Sequence, residues 1–600
     1  MYERRNRRGE CHTFQRLTAL IFLYLVGVLF INGALISSLI IRNYDGIVVH
    51  DLENGSWFVA KYILGATVLA FVLPFLLNLV KKRFDFEKAI FGKNLNVRDA
   101  DKFKTLIIVL YAVLMGAPHL IRCFNYSFWL DEGATVLAAR YSFIGMIKFV
   151  VIRGHCPFLY IFENFCWHTF GESGFLFHFA ATVPYFFTLI VAVTIVRKWF
   201  GNVVSILLIT FCSLLECAII YNLEVRMYAW CQFFILIVFL ANYQVYHTNR
   251  NIYYILMSLF SIGAVYCHYF ALGNVGILYA FLLLYKVFQR KYVDAVKVAA
   301  SGGSVLLSLL PWFLIAKMIK DSIFFNGGIW IISWRSCFEF IFYSDYSVFL
   351  LVCFVVITTL ALVFDINIVK IGRNNEDKLR LFFQKPSFKS SIVDKWVWEL
   401  GGICSVLGTI IFAQVFSALV SPITHLRYLY ISFIIIWLIF SINISSIKFH
   451  RILALSLVLF IVLTCGPKLC ATIAQERDFD QRLNKMLSVT KEIDSNDCII
   501  YTNSMDVFWY LAYVYYPHVQ VSAFGNPEFE TPDTPEFDDD RRGWLFLSDA
   551  ITDELQKFLS EHGREARLID NGVISIDNGV LFGTETVFIY KIYDVKKESI

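Results

Sequence analysis

Long apolar runs, most of them about twenty residues in length, recur along the chain from Leu17 to about Gly466. A helix that crosses a bilayer needs roughly 20 mostly apolar residues. The pattern therefore predicts an α-helical polytopic membrane protein with about thirteen spanning helices, of which the two that meet near Tyr266 are short. The predicted spans are residues 17–41, 58–80, 104–121, 174–196, 202–220, 227–247, 252–266, 270–288, 295–317, 346–367, 397–420, 427–445 and 451–466.

The charges of the short connections predict how these spans are oriented. Four arginines at positions 4 to 8 precede the first span, whereas the connection 43–57 contains Asp45, Asp51 and Glu53 and no Lys or Arg. Basic connections lie on the cytoplasmic side of membrane proteins, and the basic connections that follow fall on the same side as the N-terminus. We expect a multi-pass protein of the cell membrane with a cytoplasmic N-terminus. The first span is too long for the core of a signal peptide, so we interpret it as a retained anchor.

Two segments do not have the pattern of a membrane span. Residues 135–152 are amphipathic, because Arg140, Ser142 and Lys148 interrupt their apolar positions, and this pattern predicts helices that lie at the outer surface. Beyond Pro467 the composition becomes that of a soluble domain, with strand-like stretches at 498–502, 543–548 and 586–593 and a helix near 549–562. The sequence therefore predicts a small extracytoplasmic α/β domain over residues 467–600. The basic loop 371–395 is expected to be a solvated connector.

Composition agrees with this interpretation. Of the 600 residues, 58% are hydrophobic and only 17% are charged, and the mean hydropathy of +0.61 excludes a soluble globular protein. The net charge of +5 comes mostly from the predicted cytoplasmic loops, so nucleic acid is not an expected partner. Most of the 14 cysteines lie in apolar runs and no Cys-x-x-Cys occurs, which predicts small buried hydrophobic residues.

Polar residues gather on the predicted outer side, first in the connection after the span 104–121. Asp131 and Glu132 are adjacent carboxylates, whose repulsion raises one pKa and can create a general base beside a metal or substrate ligand. His155, in the same external segment, could bind a phosphate, contact a sugar or ligate a metal. A solvated acidic loop and an ordinary loop histidine are the simpler alternatives for these residues.

Three further polar groups are placed on the same side. Arg226 precedes the span 227–247, where a positive charge is unfavourable for the helix macrodipole unless an anion such as phosphate, or Glu224, accompanies it. His268 lies where two short spans meet, and a hydrogen-bonded core histidine is the alternative. Arg427 begins another span beside Tyr428, and the pair could also be an interface anchor. Each signal is weak, but their common side favours a site.

In their order along the chain, these motifs resemble the GT-C superfamily of integral membrane glycosyltransferases. The resemblance is to dolichyl-phosphate-mannose protein mannosyltransferases and bacterial aminoarabinose transferases, the glycosyltransferase family 39 type. It covers about residues 104–466, which would be the transmembrane catalytic module, preceded by an N-terminal segment with two extra spans at 1–103. Cys156 and Cys267 depart from the family pattern, which bears on donor specificity. The matching motifs are Asp131-Glu132, the amphipathic segment, His155-Cys156-Pro157, Glu224-Val225-Arg226-Met227-Tyr228, Cys267-His268-Tyr269-Phe270 and Arg427-Tyr428.

The resemblance implies transfer of a sugar from a polyprenyl-phosphate-linked donor to an acceptor on the extracytoplasmic face, where the acceptor is a protein, a lipid or a cell-envelope glycan. Asp131 would be the general base, and Glu132 would orient it or hold a metal. No cofactor is required, although a divalent ion shared by Glu132, His155 or His268 is a further expectation. Donor phosphate and substrate binding is then expected at His155, Glu224, Arg226, Tyr228, His268, Tyr269, Arg427 and Tyr428.

Two other function classes fit part of the pattern. A transporter or lipid flippase also has polar residues in a helical bundle, but such sites lie near the midplane on broken helices, often within related halves. Here the polar residues share one face, and no repeat is evident. An acceptor-binding scaffold without catalysis would be indicated if Asp131 were dispensable. The compact chain, without a retention signal for the endoplasmic reticulum, favours a bacterial plasma membrane.

Overall fold

The computed structural model describes three stretches of the chain. They are residues 97–319 without 125–127, 129 and 172; residues 332–493 without 366–368, 374–378, 384–389, 420–423 and 448–449; and residues 498–594 without 504–515, 517–518, 525–533, 538–541 and 578–583. The predicted spans 17–41 and 58–80 lie outside the described residues.

Most of the described chain is helical. Nine of its helices are long and apolar enough to cross a membrane, namely α1, α5, α8, α10, α11, α13, α14, α15 and α16 as bounded below. Helices therefore occur at all of the predicted spans within 104–466, which confirms the polytopic helical fold, while the total of thirteen is not established. The helices are α1 Val97–Arg122, α2 Leu130–Arg140, α3 Phe143–Ile152, α4 Phe158–Phe170, α5 Gly174–Phe200, α6 Asn202–Leu214, α7 Glu216–Tyr221, α8 Tyr228–His247, α9 Asn251–Cys267, α10 Phe270–Phe288, α11 Tyr292–Ile319, α12 Trp334–Glu339, α13 Ser347–Asp365, α14 Ser390–Leu419, α15 Leu426–Ser446, α16 His450–Val489 and α17 Asp553–Glu561.

The predicted span 202–220 is not one helix. Leu215 has extended backbone angles (φ −61°, ψ 140°), which end α6 and separate it from the short α7. The backbone N–H of Glu216 donates to the carbonyl oxygen of Tyr343 at 3.0 Å instead of continuing the helical ladder. The prediction of one continuous span here was wrong, because an apolar run carries no signal for a break that a distant carbonyl stabilises.

The predicted amphipathic segment consists of two helices, α2 and α3. Ser142 separates them, and its hydroxyl caps α3 by accepting the N–H of Gly145 at 3.2 Å. The apolar positions of α3, among them Met146 and Val150, are buried in the protein.

Helices α8 and α15 form the centre of the helical part, because nearly all of their residues are buried. They pack against each other and against α6, α9, α13 and α14. At Gly402 of α14, an added Cβ would lie 2.7 Å from the ring of Phe239 on α8, so this glycine permits close approach of the two helices. In contrast, α1, α11 and α13 expose many Leu, Val and Ile side chains, as helices do that face lipid.

A β-hairpin was not predicted in the loop 371–395. Strands β1 Val369–Arg373 and β2 Leu379–Phe383 pair antiparallel, with Val369 opposite Phe383 and Arg373 opposite Leu379. This part of the connector is therefore ordered as a two-stranded sheet.

The C-terminal part contains a five-stranded sheet in the order β4-β3-β5-β7-β6. Strand β3 runs parallel to β4 and β5, while β7 is antiparallel to β5 and β6. The small α/β domain is thereby confirmed, although β4 and β6 had not been predicted. The strands are β3 Cys498–Thr502, β4 Gln520–Ala523, β5 Arg542–Leu547, β6 Arg564–Asp577 and β7 Thr584–Asp594.

By their internal contacts, the residues group into two compact units. Of the described residues, the first unit comprises those in 97–120, Ser142–Phe165 and Ala181–Lys468. The second comprises the described residues of Ile121–Tyr141, Cys166–Ala180 and 469–594. The domain bounds expected from the sequence, 103 and 466, remain a prediction.

Candidate functional site

The turn between α7 and α8 carries Arg226, and two hydrogen bonds of Asn222 hold its start in place. The Asn222 amide donates to the carbonyl oxygen of Cys212 at 2.8 Å, and its oxygen accepts the hydroxyl of Tyr430 at 2.9 Å. Arg226 is buried, and its Nη1 donates to the hydroxyl of Tyr160 on α4 at 2.9 Å. A positive charge is thus held inside the protein just before the first residue of α8.

A second buried arginine lies at the start of α15. The N–H of Arg427 donates to Nδ1 of His425, which precedes the helix, at 3.3 Å. The guanidinium lies over the ring of Tyr428, 5.6 Å from its centroid. The N-terminus of a helix carries a partial positive charge, so Arg427 and Arg226 add full charges where two helices already favour an anion.

Both arginines act electrostatically on His268. It lies between α9 and α10, and its ring centroid is 4.9 Å from that of Tyr428 and 6.1 Å from that of Tyr228. Burial and then the charges of Arg226 and Arg427 lower the pKa of His268 to about 3. The side chain is therefore neutral at physiological pH, and because Nδ1 accepts the N–H of Phe270 at 3.2 Å, Nε2 carries the proton.

The charged members of this group are Arg226, Arg427 and Glu224, and all three interact electrostatically with Tyr228. The hydroxyl of Tyr228 is buried and, among the described residues, has no hydrogen-bond partner. A buried hydroxyl without a partner costs about 1–3 kcal/mol, so a ligand oxygen here would offset that cost.

His155 and Tyr269 extend the group. The His155 ring stacks on Tyr160 at 5.7 Å, and Tyr160 receives the hydrogen bond of Arg226. The hydroxyl of Tyr269 donates to the carbonyl oxygen of His155 at 3.4 Å. In the first unit the structure therefore brings together eight residues that the sequence had indicated, which we call the arginine cluster: His155, Glu224, Arg226, Tyr228, His268, Tyr269, Arg427 and Tyr428.

Asp131 and Glu132 belong to the second unit, in the first turn of α2. Glu132 is buried and Asp131 half-buried, and the carbonyl oxygen of Asp131 accepts the hydroxyl of Thr135 at 3.1 Å. The helix N-terminus favours their negative charges. The last turn of α2 is held by Arg140, which lies 5.2 Å from the ring centroid of Trp167 within the same unit. Their catalytic roles remain a prediction.

A metal site is not preformed in the described part of the chain, where no three His, Cys, Asp or Glu side chains are grouped to hold an ion. Glu132 lies in the second unit, whereas His155 and His268 lie in the first. The divalent ion suggested by the sequence remains a prediction.

Sequence reasoning missed two residues of α4. Tyr160 receives the hydrogen bond of Arg226, and Glu163, three residues later, is fully buried. In the described part of the chain neither carboxyl oxygen of Glu163 has a hydrogen-bond partner, and burial raises the pKa of this carboxyl well above its ordinary range. An isolated acidic residue within the apolar stretch 158–170 was the signal that could have revealed it.

Among solved structures, the chain is similar to the crystal structure of ArnT from Cupriavidus metallidurans bound to undecaprenyl phosphate. The two chains are 10% identical and superimpose with a TM-score of 0.48, over 81% of this chain and 98% of ArnT. No protein-family model and no curated protein sequence matches the chain.

Proposed function

We propose that the protein is a membrane glycosyltransferase that moves a sugar from a polyprenyl-phosphate-linked donor to an acceptor on the extracytoplasmic face. The observation that carries this proposal is the arginine cluster, in which Arg226 and Arg427 lie at the starts of two central helices beside the neutral His268. A phosphate diester is an anion that guanidinium groups bind in a bidentate manner. The order of the sequence motifs supports the same reaction class.

In the proposed reaction, the arginines act on the leaving group. As the bond between the anomeric carbon and the phosphate oxygen breaks, negative charge grows on the departing polyprenyl phosphate. Arg226 and Arg427 stabilise that charge, and pre-placed positive groups are more effective there than in water. Nε2–H of His268 and the hydroxyl of Tyr228 are further donors that add no charge of their own.

The acceptor needs a base, for which we propose Asp131 on the strength of its sequence motif. Asp131 takes the proton of an acceptor hydroxyl while that oxygen forms the new bond to the anomeric carbon, so that a single displacement inverts the configuration. Glu132 would orient Asp131. The acceptor would be a protein, a lipid or a cell-envelope glycan.

The test supplies the purified protein with undecaprenyl-phosphate sugars and candidate acceptors and measures the release of undecaprenyl phosphate. Asp131→Asn should reduce turnover by about 100-fold to 10,000-fold, the contribution typical of a general base, and should leave the binding of undecaprenyl phosphate unchanged. Asp294→Asn, on α11 where Asp294 pairs with Lys297 at 3.6 Å, is the matched control and should retain full turnover.

Two results would contradict the proposal. Undiminished release in Asp131→Asn would exclude this residue as the base. Movement of labelled lipid across vesicles without any release of undecaprenyl phosphate would instead indicate a transporter or flippase.

A further inference from the structure

Trp312 on helix α11 forms a hydrogen bond with Tyr269, a member of the arginine cluster. Trp312 is almost completely buried, at 1% exposure, and its indole Nε1–H donates to the hydroxyl of Tyr269 at 3.0 Å. An indole N–H can only donate, so the Tyr269 oxygen must accept. The proton of the Tyr269 hydroxyl is therefore available for a second bond.

That second bond reaches the turn before α4. The Tyr269 hydroxyl donates to the carbonyl oxygen of His155 at 3.4 Å, and its side chain also hydrogen-bonds with that of Cys156. The turn itself depends on Gly154, whose φ of +70° is a conformation that glycine adopts without strain. One tyrosine hydroxyl thus joins α11 to the backbone of this turn.

The turn before α4 also contacts Tyr160, the residue to which Arg226 donates a hydrogen bond. His155 stacks on the ring of Tyr160 with an interplanar angle of 24°, and the Tyr160 hydroxyl accepts Nη1 of Arg226 at 2.9 Å. Trp312, Tyr269, His155, Tyr160 and Arg226 therefore form a continuous series of contacts, all within the first unit. We call this series the Trp312 relay.

We propose that Trp312 is a positioning residue of the transfer reaction, which acts through Tyr269 on the turn at His155 and so orients Arg226 through Tyr160. This inference rests on the proposed function. An arginine side chain has many rotamers, and a phosphate site needs its donors held to about half an ångström. Because the relay acts on geometry while the charge of Arg226 stays in place, its loss affects turnover more than donor binding.

The experiment compares Trp312→Phe, Tyr269→Phe and the double variant with Trp398→Phe. Trp398 is buried to the same degree as Trp312, and its Nε1–H also donates a buried hydrogen bond, to the carbonyl oxygen of Phe239 at 3.1 Å. It lies outside the relay. The Trp398→Phe control therefore loses an equivalent buried hydrogen bond of an indole N–H that does not belong to the series of contacts leading to Arg226.

Each single relay variant should lower kcat by about threefold to tenfold, the factor expected for one neutral hydrogen bond, with little change in the KM for the donor. The double variant should be no worse than the poorer single variant, because both remove the same connection. Trp398→Phe should leave kcat unchanged. Equal kcat values in Trp312→Phe and Trp398→Phe, or losses that multiply in the double variant, would overturn the proposal.

A second readout does not depend on turnover. Amide hydrogen exchange of residues 153–160 should increase in Trp312→Phe and Tyr269→Phe and stay at the wild-type level in Trp398→Phe. If the wild-type protein turns over no sugar donor, the proposed function fails, and the exchange data still decide whether the relay holds the turn. Unchanged exchange in both relay variants would exclude the relay itself.

Discussion

The two ends of helix α15 lie beside different sets of charged residues. Arg427 is at its start, and Asn443 is sixteen residues further on, about 24 Å along the helix. At the far end, the Asn443 amide donates to Glu399 at 3.1 Å, and Lys395 pairs with Asp365 at 2.7 Å and with Glu399 at 3.7 Å. We call this second group the lysine network, because every charge in it lies beside one of the opposite sign.

The arginine cluster has the opposite composition, because its charged members are two cations, Arg226 and Arg427, and one carboxylate, Glu224. All three act electrostatically on the buried Tyr228 hydroxyl. A buried charge is costly unless it is paired. We therefore expect the lysine network to stabilise the fold and, under the proposed function, the arginine cluster to bind the phosphate of the donor.

Among substitutions that compare the two ends of α15, the largest effect should follow from Arg427→Gln. Removing one charged donor to a phosphate should weaken undecaprenyl phosphate binding by about 10-fold to 150-fold, since a hydrogen bond to a charged group contributes about 1.5–3 kcal/mol. Isothermal titration of detergent-solubilised protein measures this loss. Arg427→Lys keeps the charge but not the bidentate geometry. Its affinity for undecaprenyl phosphate should therefore lie between those of the wild type and Arg427→Gln.

The matched control is Lys395→Gln in the lysine network. This substitution removes a cation that, like Arg427, belongs to the first unit. It should leave the affinity for undecaprenyl phosphate at the wild-type value. Equal losses in Arg427→Gln and Lys395→Gln would show that the two ends do not differ in function.

A smaller effect is expected from Glu399→Leu, and on stability instead of binding. The substitution leaves Lys395 with Asp365 as its remaining carboxylate and leaves Asn443 without its acceptor on Glu399, which should cost about 1–3 kcal/mol. Thermal unfolding in detergent should show a lower Tm, while turnover per folded molecule is retained. A wild-type Tm together with reduced turnover would place the lysine network in the reaction.

The smallest effect concerns pH. The pKa of His268 is lowered to about 3, so between pH 5.5 and 8 the side chain stays neutral and neither gains nor loses a proton. The ratio of wild-type to His268→Asn affinities for undecaprenyl phosphate should therefore be constant over this range. The ratio cancels the titration of the ligand itself. A ratio that rises as the pH falls through about 6.5, the ordinary pKa of histidine, would show that His268 becomes charged and contributes as a cation.

The long helices were predictable because each is a continuous apolar run. The predicted spans 227–247 and 427–445 match α8 and α15 to within one residue at each end. The break at Leu215 was not predictable, since it depends on the Tyr343 carbonyl, which is more than a hundred residues away in the chain. Strand β6 also escaped prediction, because charged residues and a bulge between Leu568 and Val573 interrupt the alternation that marks a strand.

The residues of the candidate site likewise divide into those that could be predicted from the sequence and those that could not. Arg226, His268 and Arg427 could be singled out from the sequence, because polar residues at the ends of apolar runs are costly and therefore informative. Tyr160 and Trp312 could not, since an aromatic residue in an apolar helix usually packs in the core.

The sequence by itself determined which segments are helical, that a small α/β domain follows them, and which polar residues required an explanation. These properties depend on local composition and on the cost of placing charge in an apolar environment. Only the tertiary structure decided that Arg226 meets Tyr160, that Arg226 and Arg427 both act electrostatically on His268, and that Trp312 contacts Tyr269, which bonds to the turn at His155. Such contacts join residues far apart in the chain, and they depend on how helices pack, which no local pattern specifies.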